Sequence, residues 1–106
     1  MREIAGNLPS KQELSEQLDS IFHARADEGD GFDLCLVEFE EHVSNGFQEN
    51  YSLVFRAPVD APAAQGIYRL DHDALGAMDI FLVPIKKDDS GLYFEAVFNQ
   101  FVEAAV

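Results

Sequence analysis

Hydrophobic and polar residues alternate along most of the chain, and a period of two predicts β-strands. The beginning differs, because Leu14 and Leu18 lie four residues apart and would share one stripe of a helix. Ser10 and Glu13 have the spacing of a capping box, which places a helix start there. We therefore expect one domain, residues 1–106, with a short helix over about residues 11–18 and a β-domain over about residues 20–102.

Turn-forming residues divide the alternating region into six strands. The acidic, glycine-containing residues 27–31 end the first strand, and residues 58–64, which include two prolines, cannot continue a strand interior. The predicted strands cover residues 21–25, 32–43, 51–55, 67–70 and 80–85, and the sixth begins at Leu92. Six short strands with one amphipathic helix indicate a mainly β fold, a small antiparallel six-stranded barrel or sandwich.

The dipeptide Asn45-Gly46 is a strong signal for a two-residue β-hairpin turn, because both residues tolerate positive φ. This turn predicts that Leu36 faces Phe55 and that Glu38 faces Leu53. Leu34, Leu36, Leu53 and Phe55 would then form an apolar cluster on one face, and Cys35, Val37, Phe39 and Val54 would lie on the other. Both faces of the hairpin are thus expected to be partly covered.

A second hairpin is predicted around residues 88–91, which have Asp early and Gly last, as a type I turn prefers. If Lys87 pairs with Leu92, then Phe81, Val83 and Ile85 would face Phe98, Ala96 and Phe94 on one apolar face. Pro84 lacks a backbone donor, so we expect its strand to be an edge or to contain a bulge.

Composition and charge restrict the class of protein. The chain has 106 residues, of which 47% are hydrophobic, enough to bury one core. A formal net charge of −13 argues against nucleic acid and membrane surfaces as partners and favours solubility or a basic partner. The N-terminus has no apolar signal segment, and the lone Cys35 cannot form an intramolecular disulfide. These features predict a cytoplasmic protein.

The acidic stretch DHDALG, residues 71–76, is the main candidate for chemistry. Asp71, Asp73 and Asp79 match three calcium-loop positions, but Leu82 stands where a bidentate Glu is needed. Asp73 is instead expected to cap one helical turn, with Gly76 as a left-handed exit. His72 could act as a base or sense pH, yet the sequence places no nucleophile beside it.

The other polar candidates favour structural roles. Cys35 lies in an apolar strand, and His23 and His42 have no zinc-ligand spacing, so neither a cofactor nor a metal is expected. Tyr68 and Tyr93 each combine an apolar ring with a hydroxyl that needs a partner, and Arg56 lies at a strand end. If a ligand or partner binds, we expect His72, Tyr68, Tyr93 and Arg56 to contact it.

Four strand motifs together resemble a family of small bacterial proteins that share a domain of unknown function. They are YSLVFRAP (51–58), QGIYRLDHDALG (65–76), FLVPI (81–85) and YFEAVFN (93–99). The likeness covers roughly residues 8–100, with Ala57 where the family pattern often has Gly. His72 and Gly76 stand at the family's His and Gly positions. The resemblance implies no catalytic residues, and it suggests an assembly role associated with phage-tail-like structures.

The combined observations lead us to expect a non-enzymatic interaction or assembly module. Its partner would be another protein or a second copy of the chain, bound through an apolar strand face. The alternatives are a small-ligand binding barrel with Tyr68, Tyr93 and Arg56 at its mouth, and, third, a hydrolase or metal site centred on His72.

Overall fold

The structure, a computed structural model, describes residues 9–26, 31–44 and 48–101. The elements in chain order are α1 (Lys11–Ser15), β1 (Ile21–Arg25), β2 (Phe32–Ser44), β3 (Gln48–Ala57), β4 (Gly66–His72), β5 (Gly76–Asp88) and β6 (Gly91–Phe101). The strands form one antiparallel sheet that closes in a ring in the order β1-β2-β3-β6-β5-β4. The predicted fold class is confirmed, although β4 and β5 are longer than the sequence indicated.

The helix begins as predicted and ends early. Ser10 Oγ accepts from the Glu13 amide at 3.1 Å, and the Ser10 amide donates to Glu13 Oε1 at 2.8 Å, which completes the capping box. Helix α1 ends at Ser15 rather than at residue 18. Leu14 is therefore buried in the core, whereas Leu18 lies beyond the helix and is 44% exposed. The shared stripe predicted for these two leucines is wrong.

Side chains from all six strands and from α1 fill the interior of the ring. Phe22 and Phe55 meet edge to face at 5.3 Å, and Tyr51 stacks on Phe98 at 4.9 Å. The large side chains with the least exposure are Phe22, Leu34, Leu36, Tyr51, Leu53, Phe55, Leu70, Leu82 and Phe94. Burial of this many apolar groups is the main favourable contribution to folding.

The β2–β3 hairpin contains two bulges that change its register. Leu36 pairs with Phe55 as predicted, but a bulge after Leu36 makes Glu38 pair with Val54 instead of Leu53. Each bulge adds one residue to one strand, so the residues beyond it exchange faces. Phe39 accordingly pairs with the buried Leu53 and packs against the core, opposite to the predicted side.

The remaining predictions for this hairpin have mixed outcomes. Leu34, Leu36, Leu53 and Phe55 form the predicted buried cluster. Cys35, Val37 and Val54 are half-buried on the other side, as expected for a partly covered face. The predicted turns at residues 27–30 and at Asn45-Gly46 lie outside the described residues.

The β5–β6 hairpin begins in the predicted register and then departs from it. Lys87 pairs with Leu92, but Ile85 forms the predicted bulge beside Pro84, so that Pro84 pairs with Phe94. Val83 therefore pairs with Glu95 instead of Ala96, and the predicted pair of Ile85 with Phe94 does not form. The predicted pairs of Phe81, Val83 and Ile85 with residues of β6 are therefore wrong. The buried residues of β5 are instead Met78, Ile80 and Leu82.

Candidate functional site

His72 is buried at the bend between β4 and β5, where it pairs with Gly76 across a turn of residues 73–75. Gly76 has φ +83°, which confirms the predicted left-handed residue. The backbone amides of Ala74 and Leu75 donate to Nδ1 of His72 at 3.0 and 3.2 Å. His72 therefore caps this turn, and the prediction that Asp73 does so is wrong.

The hydrogen bonds of His72 determine which ring nitrogen carries the proton. Because Nδ1 accepts two backbone N–H groups, we assign the proton of the neutral ring to Nε2, which then donates to Ser20 Oγ at 2.9 Å. The Ser20 hydroxyl in turn donates to the Gln17 carbonyl at 2.6 Å. The pair superficially resembles a serine–histidine dyad, but a general base would need a free lone pair on Nε2. In this arrangement the imidazole of His72 links the segment after α1 to the β4–β5 turn.

Tyr68 is buried and belongs to the hydrophobic core. The Tyr68 ring meets Phe32 and Phe94 edge to face at 5.9 and 5.8 Å. The Tyr68 hydroxyl donates to the Ala64 carbonyl, and burial raises the pKa of this hydroxyl. Tyr68 thus anchors the end of the proline-containing loop to the core.

Arg56 and Tyr93, by contrast, are brought together on the outer surface. They pair across β3 and β6, next to the buried residues Phe55 and Phe94, and Tyr93 also pairs with Lys86 of β5. The Lys86 Nζ lies 4.6 Å from the centre of the Tyr93 ring. We call Arg56, Tyr93 and Lys86 the upper cationic row. It places an aromatic ring between two cations.

Gly91 makes room for the Arg56 side chain. A Cβ at Gly91 would lie 2.9 Å from Arg56 Cγ and 2.3 Å from the Ala57 carbonyl oxygen. Distances this short require the surrounding atoms to move. The absence of a side chain at Gly91 therefore leaves room for the stem of Arg56.

Three large apolar side chains are exposed on the outside of adjacent strands. Ile67 of β4 pairs with Phe81 of β5, and their exposed fractions are 66% and 52%. Val97 of β6 is also exposed and lies two residues beyond Glu95, the partner of Val83. Since side chains two positions apart point to the same face, Val97 shares the face of Phe81. We call Ile67, Phe81 and Val97 the apolar stripe.

Sequence reasoning did not identify the apolar stripe. The predicted β5–β6 register placed Phe81 opposite Phe98 on an apolar face, and with the bulge at Ile85 Phe81 lies on the outside. The available signal was Pro84, because a bulge at a proline changes the face of every residue before it. A register that includes this bulge predicts that Phe81 points outward.

One further row of charge lies beside the stripe. Arg69 pairs with Arg25 of β1 on one side and with Asp79 of β5 on the other. Arg69 Nε donates to Asp79 Oδ1 at 2.6 Å, and this contact raises the pKa of Arg69. We call Arg25, Arg69 and Asp79 the lower cationic row. Together with Ile67, its members line a shallow groove.

Metal-ligating side chains are not grouped in the part of the chain that the structure describes, where no three His, Cys, Asp or Glu residues could hold an ion together. His23 Nδ1 lies 3.0 Å from an Asp33 oxygen, and His42 Nε2 lies 2.9 Å from Ser52 Oγ. These two histidines therefore occur in separate polar pairs.

Comparison with known proteins identifies a family for this chain. A family model described as "Domain of unknown function (DUF6916)" matches residues 9–98, which confirms the resemblance seen in the strand motifs. No curated protein and no solved structure matches the chain. Within the described residues, no helix has the length and apolarity needed to cross a membrane.

Proposed function

We propose, starting from the fact that the chain belongs to the DUF6916 family, that it is a non-enzymatic interaction or assembly module. Its contact surface is the apolar stripe, and the partner is another protein or a second copy of the chain. The observation that carries this proposal is the exposure of Ile67, Phe81 and Val97 on neighbouring strands. Exposed apolar groups that lie together mark interaction sites more often than isolated ones do.

Two features favour this proposal over a small-ligand barrel and over a hydrolase. Buried side chains occupy the interior of the ring, and the Tyr68 hydroxyl is already bound to the carbonyl of Ala64. Both nitrogens of His72 are engaged in structural hydrogen bonds, Nδ1 with the β4–β5 turn and Nε2 with Ser20. The phage-tail-like setting suggested by the resemblance would be one context for such a module.

The stripe can be tested by replacing Phe81 and Val97 with Ser together. Val59→Ser is the matched control, because Val59 is exposed in the loop between β3 and β4. Sedimentation velocity over a concentration series measures self-association, and capture by the products of neighbouring genes measures partner binding. We expect the wild type and Val59→Ser to associate and the double variant to lose association. A wild-type monomer that binds none of these products would refute the proposal.

A further inference from the structure

We propose that the apolar stripe receives an acidic segment of a partner protein, which crosses the stripe so that carboxylates at the two ends of the segment contact the cationic rows on either side of the stripe. This inference rests on the proposed function and specifies the chemistry of the partner. It is unexpected for a chain with a formal net charge of −13, for which a basic partner is the simpler expectation. The charges around the stripe instead favour a partner segment with negative charge.

The lower cationic row supplies the first contact. Arg25 and Arg69 face each other across β1 and β4, an arrangement of like charges that costs stability. Asp79 neutralises Arg69, whereas Arg25 is exposed and has no hydrogen-bond or ion-pair partner among the described residues. A guanidinium group matches a carboxylate with two parallel hydrogen bonds. Arg25 therefore offers a contact for an acidic side chain beside the groove that Ile67 lines.

The upper cationic row supplies the second contact. Arg56 and Lys86 flank Tyr93, and the stem of Arg56 lies over Gly91. Arginine and tyrosine are the residue types most enriched among those that dominate binding energy at interfaces. The second carboxylate of the partner would meet these two cations next to the aromatic ring.

The two rows set the spacing required of the partner. Asp79 marks the lower row on β5 and Lys86 the upper row, and Ile85 between them is the bulge residue. Six ladder steps at about 3.3 Å each give a separation of about 20 Å along the strand. Phe81 lies between the rows. The partner segment should thus carry acidic residues at both ends and apolar residues between them.

The charge near the stripe differs from that of the whole chain. Four of the six Lys and Arg residues in the described part of the chain belong to the two rows. Three carboxylates lie in the same area: Asp79, which is paired with Arg69, Asp71, whose charge also acts on Arg69, and Glu95. At physiological ionic strength charges act over about 8 Å, so an acidic segment on the stripe responds to these cations more than to distant carboxylates.

The test uses two synthetic fluorescent peptides with the same apolar centre of six residues. One has two Glu at each end and the other has two Lys, and fluorescence anisotropy measures their binding to the intact protein. We expect the Glu-ended peptide to bind at least about tenfold more tightly than the Lys-ended one. The double variant Arg25→Glu/Lys86→Glu should reverse this preference.

A second double variant controls for total charge. Lys11→Glu/Lys87→Glu changes the net charge equally but alters residues outside both rows, so it should retain the preference of the wild type. Phe81→Ser should weaken both peptides. Equal or tighter binding of the Lys-ended peptide overturns the inference. The inference is also overturned if neither peptide binds while the protein self-associates and Phe81→Ser abolishes that self-association. That result leaves the proposed function intact.

Discussion

At the scale of single residues, His72 carries more of the local structure than its acidic neighbours do. It satisfies two backbone donors of the β4–β5 turn, contacts Ser20 and packs against Phe22, with ring centres 4.3 Å apart. Asp73, although it stands in the usual position for a cap, is exposed. A histidine flanked by two aspartates can therefore be mainly a structural group.

We predict that His72→Phe lowers the free energy of unfolding by about 1–3 kcal/mol. Phe retains a ring against Phe22 but leaves the amides of Ala74 and Leu75 without an acceptor. Asp73→Ala is the matched control and should change stability by less than about 0.5 kcal/mol. Urea denaturation measures both variants. If Asp73→Ala were the more damaging change, Asp73 rather than His72 would be the cap.

Tyr68 leads to a prediction about alkaline pH. Burial raises its pKa, so in the range above the unfolded value of about 10 the unfolded chain loses this proton before the folded chain does. The stabilisation is complete below that value and is lost as pH rises through the folded pKa. We expect Tyr68→Phe to reduce this loss, measured by urea denaturation between about pH 9 and pH 12. An unchanged alkaline slope in the variant would contradict the assignment.

At the scale of elements, the sequence predicts the strands well, and the errors in strand register arise at the β-bulges. The alternation and turn residues predicted β1 at its observed bounds and the set of six strands. They also predicted the pair Lys87–Leu92 beside the β5–β6 turn, and the pair Leu36–Phe55 at the end of the β2–β3 hairpin away from its turn. They did not reveal the extra residue at Val37, which is apolar and fits either face, or the second register shift in β2 between Glu41 and Val43. Pro84 indicated the bulge in β5. The orientation of Phe81 follows only when the extra residue of that bulge is included in the register.

The same limit applies to the candidate site. Sequence reasoning placed Arg56 and Tyr93 in one candidate binding set, but their direct pairing depends on the β3–β6 register, which no local turn specifies. The pairing of Arg25 with Arg69 closes the ring between residues far apart in the chain, and no local pattern indicates it. Contacts of this kind follow from the closed topology rather than from neighbouring residues.

The register of β5 is testable by a pair of substitutions. We predict that Leu82→Ala lowers the free energy of unfolding by about 2–5 kcal/mol, because the Leu82 side chain is fully buried. Phe81→Ala removes a larger side chain but should cost less than about 1 kcal/mol, since Phe81 points outward. Thermal and urea unfolding provide the comparison. The reverse order of effects would restore the register in which Phe81 faces Phe98.

At the scale of the whole molecule, net charge should limit stability. A formal charge of −13 on 106 residues causes self-repulsion that salt screens. We predict that raising NaCl from about 10 to about 200 mM increases Tm by several degrees, since about 1 kcal/mol corresponds to about 4–8 °C for a domain of this size. Glu38→Gln/Glu40→Gln, at two exposed positions of β2, should reduce the increase. A Tm that does not depend on salt would contradict this view.

The closure between β1 and β4 has a consequence for how the chain folds. This pairing runs only from His23 with Asp71 to Arg25 with Arg69, and nearby Ser20 and His72 are separated by 52 positions in the sequence. The β2–β3, β4–β5 and β5–β6 hairpins, by contrast, join strands that follow each other directly. Because contacts between distant residues lose more chain entropy before they form, we expect the hairpins to assemble first. The ring would then close at β1 and β4 in the slow step that commits the chain to its native state.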